Sequence, residues 1–389
     1  MMDLWATVPY YTAYLSKALL FENVDLTVGS ITYYLDPGCF SSRGIKVDPG
    51  LLDIVGRFNL PRGPRRALKL CEAILNLCAL TMRFLASPPD IVHVQYLPML
   101  RSRLPLDFWF LDFCRKRGSK IVLTVHDLLP HDTAETHKQT FEDLYCMVDA
   151  IICHSDHIKV RLESEFSVSP ERVSVIPHGP FFYDLPEEDH QTALLSLGVE
   201  QGNPLVLWQG IIFPYKGVDL LLNAWKEVEA REPTACLVIA GTGAPDLLKQ
   251  ISDQIHELGL KRVHLYFRFI TTKELVALYR AANIVVYPYR AITTSGALAT
   301  GLALGKVIVA SDLPVFRELL KPGENALLVD PHNPVEFADV LIELMQDQDL
   351  QERLAGNVRE MNFGDESWLS IAKKTMQVYH AVIFHFPMV

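Results

Sequence analysis

The stretch IVVYPYRAITTSGALATGLALGKVIVASD, residues 284–312, contains two continuous runs of β-branched and aromatic residues, separated by a polar loop and a segment of helix length. Strands that are apolar throughout are typical of parallel sheets whose faces are both covered by helices. Parallel strands need a long crossover connection, most often a helix. The stretch therefore predicts a strand, a helix that starts near Thr-Thr-Ser-Gly, and a second strand parallel to the first.

The same alternation extends over the whole chain of 389 residues. In the first half, strand-like runs separated by helix-length segments occupy residues 24–29, 90–96, 120–125, 150–155 and 173–179. In the second half they occupy residues 204–210, 235–243, 263–269, 284–289, 306–312 and 325–330, and helical stretches follow at 333–346, 348–361 and 365–384. Because a chain of this length exceeds the size of most single cores, we predict two doubly wound α/β domains.

The boundary between the two domains is expected in the polar, turn-rich segment 179–204. We place the N-terminal domain at residues 1–182 and the C-terminal domain at residues 183–364. Open α/β sheets bind ligands beyond the carboxyl ends of their strands. A linker at this position therefore predicts a binding cleft between the two domains.

The net charge of −10 belongs almost entirely to the second half, since residues 1–180 contain 19 Lys and Arg against 20 Asp and Glu. The acidic total disfavours nucleic acid as a partner. Segment 54–71 is an exception, because it has no acid and five basic side chains: Arg57, Arg62, Arg65, Arg66 and Lys69. Basic residues among apolar ones are typical of contact with an anionic membrane surface. A solvated basic turn that leads into a helix is an equal alternative.

The sequence predicts a cytoplasmic protein, and any lipid contact would then be at the inner face of the membrane. The N-terminus lacks a basic segment ahead of an apolar run, so no secretion signal is predicted. Residues 68–86 are helix-like and apolar but contain charges, and are interpreted as a core helix. The seven cysteines are scattered without a Cys-x-x-Cys pair, which fits a reducing compartment and gives no zinc motif.

Tyr215-Lys216-Gly217 connects a strand that ends at Gly210 with an amphipathic helix, in the sequence WQGIIFPYKGVDLLLNAW. A lysine just ahead of a helix N-terminus suits a phosphate, because its ammonium group adds to the partial charge of the helix amides. The Walker pattern is absent. The local pattern alone also allows a surface lysine in an ordinary connection.

Thr-Thr-Ser-Gly in the opening stretch offers similar chemistry without a lysine. Thr293 or Thr294 is expected to cap the helix, and the amides of Ser295 and Gly296 are expected to face an anion. Arg290 lies just upstream and adds a positive charge. The simpler alternative is a capped, buried helix whose small residues allow close packing.

The segment TVHDLLPHDT, residues 124–133, places His126, Asp127 and His131 directly after a strand of the first domain. His178 follows the last strand of the same half. We expect these side chains at the binding cleft, although His178 fits a hinge equally well. Two histidines five residues apart, without a third ligand at a recognisable spacing, do not predict a metal site.

Taken together, four segments resemble the family-4 retaining glycosyltransferases of the GT-B fold. They read HSDHIKVRLESEFSVSPERVSVIPHG (154–179), YKGVDLLLNAW (215–225), VIAGTG (238–243) and GLALGKVIVASDLPVFRELLKPGENALLVDP (301–331). The order and spacing of these segments carry the resemblance more than any one of them. The resemblance implies two facing Rossmann-like domains and a final helix, at about 365–389, that crosses back to the N-terminal domain.

The resemblance also implies roles for individual residues. The second domain is expected to bind a sugar nucleotide donor, with Lys216 at the diphosphate and Arg268 near the base. The first domain is expected to bind the acceptor, with His126 contacting the transferred sugar or its phosphate. In such enzymes the acceptor attacks from the face that the leaving group departs from, and the leaving diphosphate helps to take the acceptor proton. The protein then acts mainly by electrostatic preorganisation.

The sequence departs from the family pattern around the donor site. The family usually carries Glu-x7-Glu at the start of the donor-site helix, where this chain has Ile292 and Thr300. The arginine that usually accompanies the lysine is missing from GIIFPYKG, and Arg290 is our candidate to replace it. A subgroup with a Thr-x-Ser-Gly helix start resembles this chain more closely, and in it backbone amides take over part of the phosphate contact.

The leading hypothesis is a metal-independent, retaining transfer of a hexose from a UDP- or GDP-sugar to a glycan or lipid-linked acceptor, as in polysaccharide biosynthesis. No cofactor is expected besides the donor substrate. His126 and Lys216 are the predicted catalytic residues. The predicted donor-binding residues are Gly210, Lys216, Arg268, Arg290, Thr294, Ser295, Gly296 and Thr300, the last toward the ribose. Asp127, His131 and His178 are predicted on the acceptor or sugar side.

Two alternatives stay open. The missing carboxylates favour a degenerate GT-B protein that binds a nucleotide sugar or a partner without catalysis. A sugar-nucleotide epimerase of the same fold needs acid and base carboxylates, and the residues at positions 292 and 300 disfavour it.

Overall fold

The structure, a computed structural model, describes residues 1–48, 50–58, 60–100, 105–129, 134–184, 195, 203–361 and 363–384. It divides into two compact units. Unit 1 comprises Met1–His178 and Trp368–Val389, and unit 2 comprises Gly179–Ser367. The C-terminal segment of the chain therefore belongs to unit 1.

Unit 1 contains one parallel six-stranded sheet, in the order β2-β1-β3-β4-β5-β6. The strands are β1 Met2–Asp3, β2 Gly29–Ser30, β3 Ile91–Tyr96, β4 Lys120–Thr124, β5 Ala150–Cys153 and β6 Val173–Val175. The first five helices are α1 Pro9–Leu20, α2 Arg62–Ala86, α3 Leu106–Lys116, α4 Ala134–Met147 and α5 Asp156–Phe166. The strand order reverses between β1 and β3, which places the switch point of this sheet between those strands.

One sequence prediction for unit 1 needs correction, and a second is refined by the structure. The strand predicted over 24–29 is only β2, because its neighbour β1 offers just two residues for pairing. The helix that contains residues 68–86 is α2, and only one of its faces packs on the core. Its opposite face is exposed along most of its length.

Unit 2 contains a second parallel six-stranded sheet, in the order β12-β11-β10-β7-β8-β9. The strands are β7 Leu205–Gln209, β8 Cys236–Ala240, β9 Val263–Tyr266, β10 Ile284–Tyr287, β11 Val307–Ser311 and β12 Leu327–Val329. The helices are α6 Val218–Arg231, α7 Pro245–Leu258, α8 Thr272–Ala281, α9 Gly296–Ala303, α10 Pro314–Arg317, α11 Pro334–Gln346 and α12 Gln348–Glu360. The last helix of the chain, α13 Asp365–Phe384, begins in unit 2 and lies mostly in unit 1.

The stretch 284–312 forms β10, α9 and β11, and Ile284 pairs with Val307 in a parallel ladder. Numbered within the unit, the sheet order is 6-5-4-1-2-3, which is the strand order of dinucleotide-binding folds. The switch point lies between β7 and β10, and ligands of such sheets bind beyond the carboxyl ends of the two strands there. Each unit thus has the predicted doubly wound α/β fold.

The sheets are held by apolar cores on both faces. In unit 2, Trp208 on β7 and Trp225 on α6 are fully buried in one cluster. In unit 1, side chains from β3, β4 and β5 pack against helices α2, α3 and α5. Burial of this apolar surface fixes the strand ends, and so positions the loops that follow them.

Candidate functional site

The loop that follows β7 is shaped by two glycines. Gly210 has a φ of 152°, which favours glycine, and it leads into a 3₁₀ turn at Pro214–Lys216. Gly217 has a φ of 66°, and a Cβ atom at this position would lie 1.8 Å from the carbonyl oxygen of Pro288. The loop after β7 therefore packs directly against the loop after β10, at the switch point of unit 2.

Lys216 is half-buried at this contact. Its Nζ lies 5.6 Å from the centre of the Tyr289 ring, within cation–π range. A Cβ atom on Gly210 would come within 2.9 Å of the same Nζ. The absence of a side chain at position 210 thus leaves room for the ammonium group beside the backbone.

Arg290 joins the two loops. Its guanidinium donates to both carboxylate oxygens of Asp219, at 2.8 and 2.6 Å, and to the Pro214 carbonyl at 2.7 Å. Its backbone N–H also donates to the carbonyl oxygen of Tyr215, at 2.7 Å. Burial favours a higher pKa for Asp219, but the hydrogen bonds and charge of Arg290 hold that pKa below its ordinary value. The arginine thus holds the turn that carries Lys216, and Asp219 offsets the charge that Arg290 was predicted to offer a phosphate.

Helix α9 begins one residue later than the predicted cap implies. Ser295 is the N-cap, and its Oγ accepts a hydrogen bond from the Leu298 amide at 3.1 Å. The cap predicted at Thr293 or Thr294 is therefore wrong, because only the Ser295 side chain accepts a hydrogen bond from the first turn. Thr294 and Gly296 lie half-buried on either side of this cap.

Two tyrosines hold the start of α9 in place. The hydroxyls of Tyr279 and Tyr287 donate to the carbonyl oxygen of Ala297, at 3.1 and 2.8 Å. The first amides of a helix have no acceptor within the helix, so its N-terminus attracts an anion. Lys216 lies over the ring of Tyr289 in the loop after β10, and the same loop reaches Ser295, the N-cap of α9, six residues later.

Thr300 lies inside unit 2 and is only 2% exposed. Its hydroxyl donates to the Gly296 carbonyl at 2.8 Å and accepts from the Phe181 amide at 3.3 Å. Both contacts are internal to the protein, so the ribose contact proposed for Thr300 stays a prediction. Ile292, at the other position where the family carries Glu, is half-buried.

Arg268 lies after β9 on the surface of unit 2. Its guanidinium forms a bidentate ion pair with Glu274, at 2.9 and 2.6 Å, and donates to the Phe269 carbonyl at 3.1 Å. Hydrogen bonds from Arg268 lower the pKa of Glu274 to about 2. The predicted contact of Arg268 with a nucleoside base stays a prediction.

In unit 1, His126 follows β4 and is half-buried. Its Nε2 donates to Oε1 of Gln95 at 2.9 Å, and Nε2 of Gln95 donates to Nε2 of His93 at 3.0 Å. Nε2 of His93 also accepts from the Thr124 hydroxyl at 2.7 Å. Nδ1 of His93 then donates to the Tyr379 hydroxyl of α13, at 2.6 Å. These contacts form a continuous hydrogen-bonded chain from α13 to His126.

Three imidazoles surround the ring of Tyr11 on α1. The ring centre of Tyr11 lies 4.7 Å from that of His126, 5.2 Å from that of His154 and 5.1 Å from that of His178. His126 and His178 are half-buried, whereas His154 is 8% exposed. His154 hydrogen-bonds the Ile176 carbonyl through Nδ1 at 2.9 Å. We call these three residues the histidine cluster.

Burial sets the charge state of His93, His126 and His154. Burial lowers the pKa of His154 to about 4 and that of His93 to about 3. Burial, together with the neighbouring histidines, holds the pKa of His126 well below its ordinary value. His126 is therefore neutral at pH 7, so of the two predicted contacts of this residue a hydrogen bond to the sugar is favoured over an ionic contact with the phosphate.

The structure groups the predicted residues into two sets. Unit 2 brings Gly210, Lys216, Arg290 and the start of α9 together, and Arg268 follows a different strand. Unit 1 brings together His126 and His178, while Asp127 is exposed beside them and His131 lies outside the described residues. Across the described ranges of the chain, no group of three or more His, Cys, Asp or Glu side chains is arranged to hold a metal ion.

The sequence did not identify Gln95, His93 or Tyr379. Two polar residues at alternate positions of a buried strand, as in IVHVQY, share one face of a sheet. This spacing is a usable signal, because buried polar side chains need hydrogen-bond partners. Tyr379 gives no comparable local signal, since its contact spans 286 residues of sequence.

Two family models match consecutive parts of the chain. The one described as Glycosyltransferase Family 4 matches residues 10–179, and the one described as Glycosyl transferases group 1 matches residues 193–361. The chain belongs to a glycosyltransferase family.

Individual proteins agree with this assignment. The glycosyltransferase chain is 27% identical over 258 residues to an uncharacterized glycosyltransferase of Methanocaldococcus jannaschii, a match that covers 65% of each protein. It is 25% identical over 354 residues to the D-inositol 3-phosphate glycosyltransferase of Xylanimonas cellulosilytica, covering 86% of this chain and 83% of that protein.

Among solved structures, Anabaena HepE in complex with UDP and glucose aligns with a TM-score of 0.73 at 18% identity. The alignment covers 96% of this glycosyltransferase and 98% of HepE. A likeness at this identity concerns the fold, and it confirms the predicted GT-B class of two α/β domains.

Proposed function

We propose that this glycosyltransferase transfers a hexose from a UDP- or GDP-sugar to a glycan or lipid-linked acceptor, with retention of configuration and without a metal ion. The observation that carries the proposal is the group of Lys216 and the α9 N-terminus at the switch point of unit 2. A cation next to free helix amides suits the diphosphate of a sugar nucleotide. The relative HepE, whose structure contains UDP and glucose, supports a uridine donor.

In the proposed reaction the bond from the anomeric carbon to the diphosphate oxygen breaks, and the acceptor oxygen bonds to the same face of that carbon. The acceptor proton passes to an oxygen of the departing diphosphate. Negative charge grows on that diphosphate in the transition state, where Lys216 and the amides of Ser295 and Gly296 stabilise it. Gly210 gives the ammonium group its space, and Thr294 leads into the cap.

The histidine cluster supports the sugar side of the proposal. Imidazoles beside an aromatic ring suit a hydroxyl-rich, uncharged ligand, because a ring nitrogen exchanges hydrogen bonds with hydroxyl groups. Burial keeps the imidazoles of His126 and His154 neutral by lowering their pKa. His126 and His178 are half-buried and so reach the surface of unit 1. We assign them to contact with the transferred sugar or the acceptor, together with Asp127 and His131.

Replacing Lys216 tests the proposed donor site. We expect Lys216→Ala to lower the rate of transfer by about 100- to 1000-fold, the typical effect of removing one group that stabilises transition-state charge. The measurement is release of nucleoside diphosphate from UDP- and GDP-sugars in the presence of glycan acceptors. The control is Lys226→Ala, an exposed lysine on α6, which should leave the rate unchanged. Near-normal turnover by Lys216→Ala would contradict the assignment.

The anomeric configuration of the product tests retention separately. Proton NMR of the newly formed glycoside should show the configuration of the donor sugar. An inverted product would refute the retaining mechanism while leaving the donor site intact.

A second candidate is a protein that binds a nucleotide sugar without catalysis. Ile292 and Thr300 favour it, since neither position offers the carboxylate found in the family. Titration with UDP- and GDP-sugars, followed by assays for hydrolysis and transfer, separates the two candidates. Saturable binding without either reaction, over a broad set of acceptors, would support the second candidate.

We also propose that unit 1 contacts the anionic surface of a membrane, which would place a lipid-linked acceptor near the protein. None of the described helices has the length and apolar character needed to span a bilayer. Helix α2 instead presents an exposed apolar line, at spacings of seven and three residues, formed by Leu68, Leu75, Met82 and Leu85. We call these four residues the outer stripe.

The surroundings of the outer stripe support this proposal. Arg57, Arg65 and Arg66 are exposed near its N-terminal end, and Lys69 forms an ion pair with Glu72. The side chain of Arg62 lies outside the described part of the structure. Ile54 and Phe58 add exposed apolar side chains, 50% and 56% exposed, just ahead of the helix. A helix with apolar and basic groups on its outer face lies in the interface of an anionic bilayer.

A further inference from the structure

Gln95 stands between two histidines and bonds to both. Its carbonyl oxygen accepts from Nε2 of His126, and its amide nitrogen donates to Nε2 of His93, at 2.9 and 3.0 Å. An amide has one accepting end and one donating end. In this orientation Gln95 requires a proton on Nε2 of His126 and a bare Nε2 on His93.

The groups around His93 accommodate the same arrangement. The Thr124 hydroxyl, 2.7 Å away, is a second donor to the bare Nε2 of His93. The proton of His93 then resides on Nδ1, where the Tyr379 hydroxyl accepts it at 2.6 Å. His93 and Tyr379 are almost fully buried, so an N–H or O–H group without an acceptor at this position has no water molecule to bond. Thr124 and Tyr379 carry hydroxyls that donate or accept, so they satisfy His93 in the tautomer that the Gln95 amide requires.

We propose that Gln95, backed by His93 and Tyr379, is a positioning residue that fixes His126 as its Nε2–H tautomer and leaves Nδ1 of His126 bare. The proposal rests on the proposed function for the role of His126 and goes beyond it in assigning how that histidine is prepared. A bare ring nitrogen accepts a hydrogen bond, so the group that meets it must donate one. Hydroxyl groups of a sugar donate, whereas a carboxylate or an ionised phosphate oxygen does not.

The hydrogen-bonded chain also explains the buried polar residues of β3. His93 and Gln95 occupy one face of β3, and Val92 and Val94 on the opposite face join the apolar core. Buried polar groups stabilise the fold only when they have hydrogen-bond partners. The polar side chains on this face therefore need a hydrogen-bonded chain in which each group has a partner. Because the tautomer of each histidine depends on its neighbour, a change at Tyr379 reaches His126 without contacting it.

The test is NMR of the full chain labelled with nitrogen-15 in histidine, at neutral pH, with the His126 signals assigned from a His126→Gln variant. We expect the wild-type protein to carry the His126 proton on Nε2. In Gln95→Leu, His126 should populate both tautomers, and the rate of transfer should fall by roughly 10- to 100-fold, by analogy with the loss of partners that orient metal-ligating histidines. The affinity for the donor nucleotide at the Lys216 site should stay the same.

Tyr379→Phe is the second variant, and it removes a single oxygen at the end of the hydrogen-bonded chain that lies farthest from His126. It should lower the population of the Nε2–H tautomer of His126 without changing any atom that touches His126. Gln139→Leu, on the exposed side of α4, is the matched control and should leave the tautomer and the rate unchanged. A wild-type His126 protonated on Nδ1, or a tautomer that stays the same in Gln95→Leu, would overturn the proposal.

The tautomer measurement needs no substrate. A wild-type protein with the expected tautomer and no transfer activity would therefore refute the proposed function and support the role of Gln95. Transfer activity in a protein whose His126 is protonated on Nδ1 would support the proposed function and refute the role of Gln95.

Discussion

Single residues in this protein take their properties from burial more than from their chemical type. Histidine is a polar residue, yet the side chain of His154 is only 8% exposed, and burial lowers its pKa to about 4. Within the described part of the chain, its Nε2 has no hydrogen-bond partner. His126 and His154 therefore stay neutral at pH 7, since protonating either imidazole would add a charge to a poorly solvated position.

This burial predicts a pH dependence of stability that His154 carries. The pKa of His154 is lower in the folded state than its ordinary value of 6.5, so the unfolded state binds more protons as the pH falls. Its contribution to stability is thus present above pH 6.5 and is lost as the pH falls from 6.5 toward 4. Between pH 7 and pH 5 the loss is about 2 kcal/mol.

Urea unfolding of the wild type and of His154→Gln at pH 7 and pH 5 measures this contribution. We expect the difference in unfolding free energy between the two proteins to shift by about 2 kcal/mol in favour of the variant at pH 5. Burial raises the pKa of Asp3 to about 6 and that of Asp107 to about 7, which acts in the opposite direction. Both carboxyls are present in both proteins, so their effects cancel in the difference. His256→Gln, at an exposed position of α7, is the control for the loss of one imidazole.

Thr300 shows how little a residue position says without its surroundings. Aligned with the family, it stands where a carboxylate is usual, and it was predicted to face a ribose. That contact stays a prediction, and in the structure the hydroxyl bonds to the Gly296 carbonyl one helical turn earlier, with the side chain buried. A hydroxyl at i bonded to the carbonyl at i−4 is a common way for threonine to satisfy itself inside a helix.

At the scale of elements, two loops of unit 2 act as one support for Lys216. The loop after β7 and the loop after β10 are joined by the Arg290–Asp219 ion pair and by the close approach of Gly217 to Pro288. The ion pair is partly exposed, which limits its contribution to about 1 kcal/mol or less. The main effect of the ion pair is on geometry, because Arg290 also bonds to the 3₁₀ turn at Pro214–Lys216 and so fixes its position.

A double-mutant cycle decides between the two roles of Arg290. If the arginine holds the turn, Arg290→Ala and Asp219→Asn should each raise the KM for the donor by about two- to fivefold, and the double variant should be no worse than either. If Arg290 instead contacts the phosphate, Asp219→Asn releases its charge and the donor should bind at least as tightly as in the wild type. Initial-rate kinetics with varied donor concentration separate the two outcomes.

Helix α2 combines two apolar faces. Its inner face, which includes Ala73, Leu77 and Leu80, packs in the core, while the outer stripe stays exposed. Buried polar groups on the inner side, Asn76 and Glu72, hold the backbone of segment 52–55 beside the helix. The helix therefore contributes to the core through its inner face and presents a separate apolar surface through the outer stripe.

For the whole molecule, the charge distribution bears on the contact that we propose between unit 1 and a membrane. The first half of the sequence is close to neutral and contains the basic segment 54–71, whereas the second half is acidic. An anionic surface therefore attracts the first half more than the second, over a distance of about one Debye length. The outer stripe then supplies the apolar contact.

Vesicle sedimentation tests this surface. We expect the protein to bind vesicles that contain phosphatidylglycerol more tightly than vesicles of phosphatidylcholine alone, with binding that weakens as salt is added. The double variant Leu75→Glu and Met82→Glu should bind at least tenfold more weakly, because two apolar side chains lose their place among the lipid chains. Val335→Glu replaces one exposed apolar side chain of α11 with a carboxylate and is the control for the kind of substitution. Equal binding by the double variant and the control would exclude the outer stripe.

Much of the architecture follows from sequence pattern. Continuous apolar strands that alternate with helices, in IVVYPY and KVIVASD as in KIVLTV, specify parallel sheets because only helices on both faces bury such strands. The sequence also placed Lys216 and the Ser295-Gly296 turn at the ends of strands, since loops that follow strands are local features. Edge elements were predicted less well, as the two-residue β2 shows, because a strand at the edge depends on the length of its single neighbour.

Local pattern thus established the two α/β sheets, the helix that starts at Thr-Thr-Ser-Gly, and the residue types that follow each strand. The tertiary structure established which of those residues meet: Arg290 with Asp219, Gln95 with His126, and His93 with Tyr379, 286 positions away. The physical reason is that periodicity fixes the face on which a side chain lies. Its partner, its burial and hence its charge depend on elements that the chain brings together only when it folds.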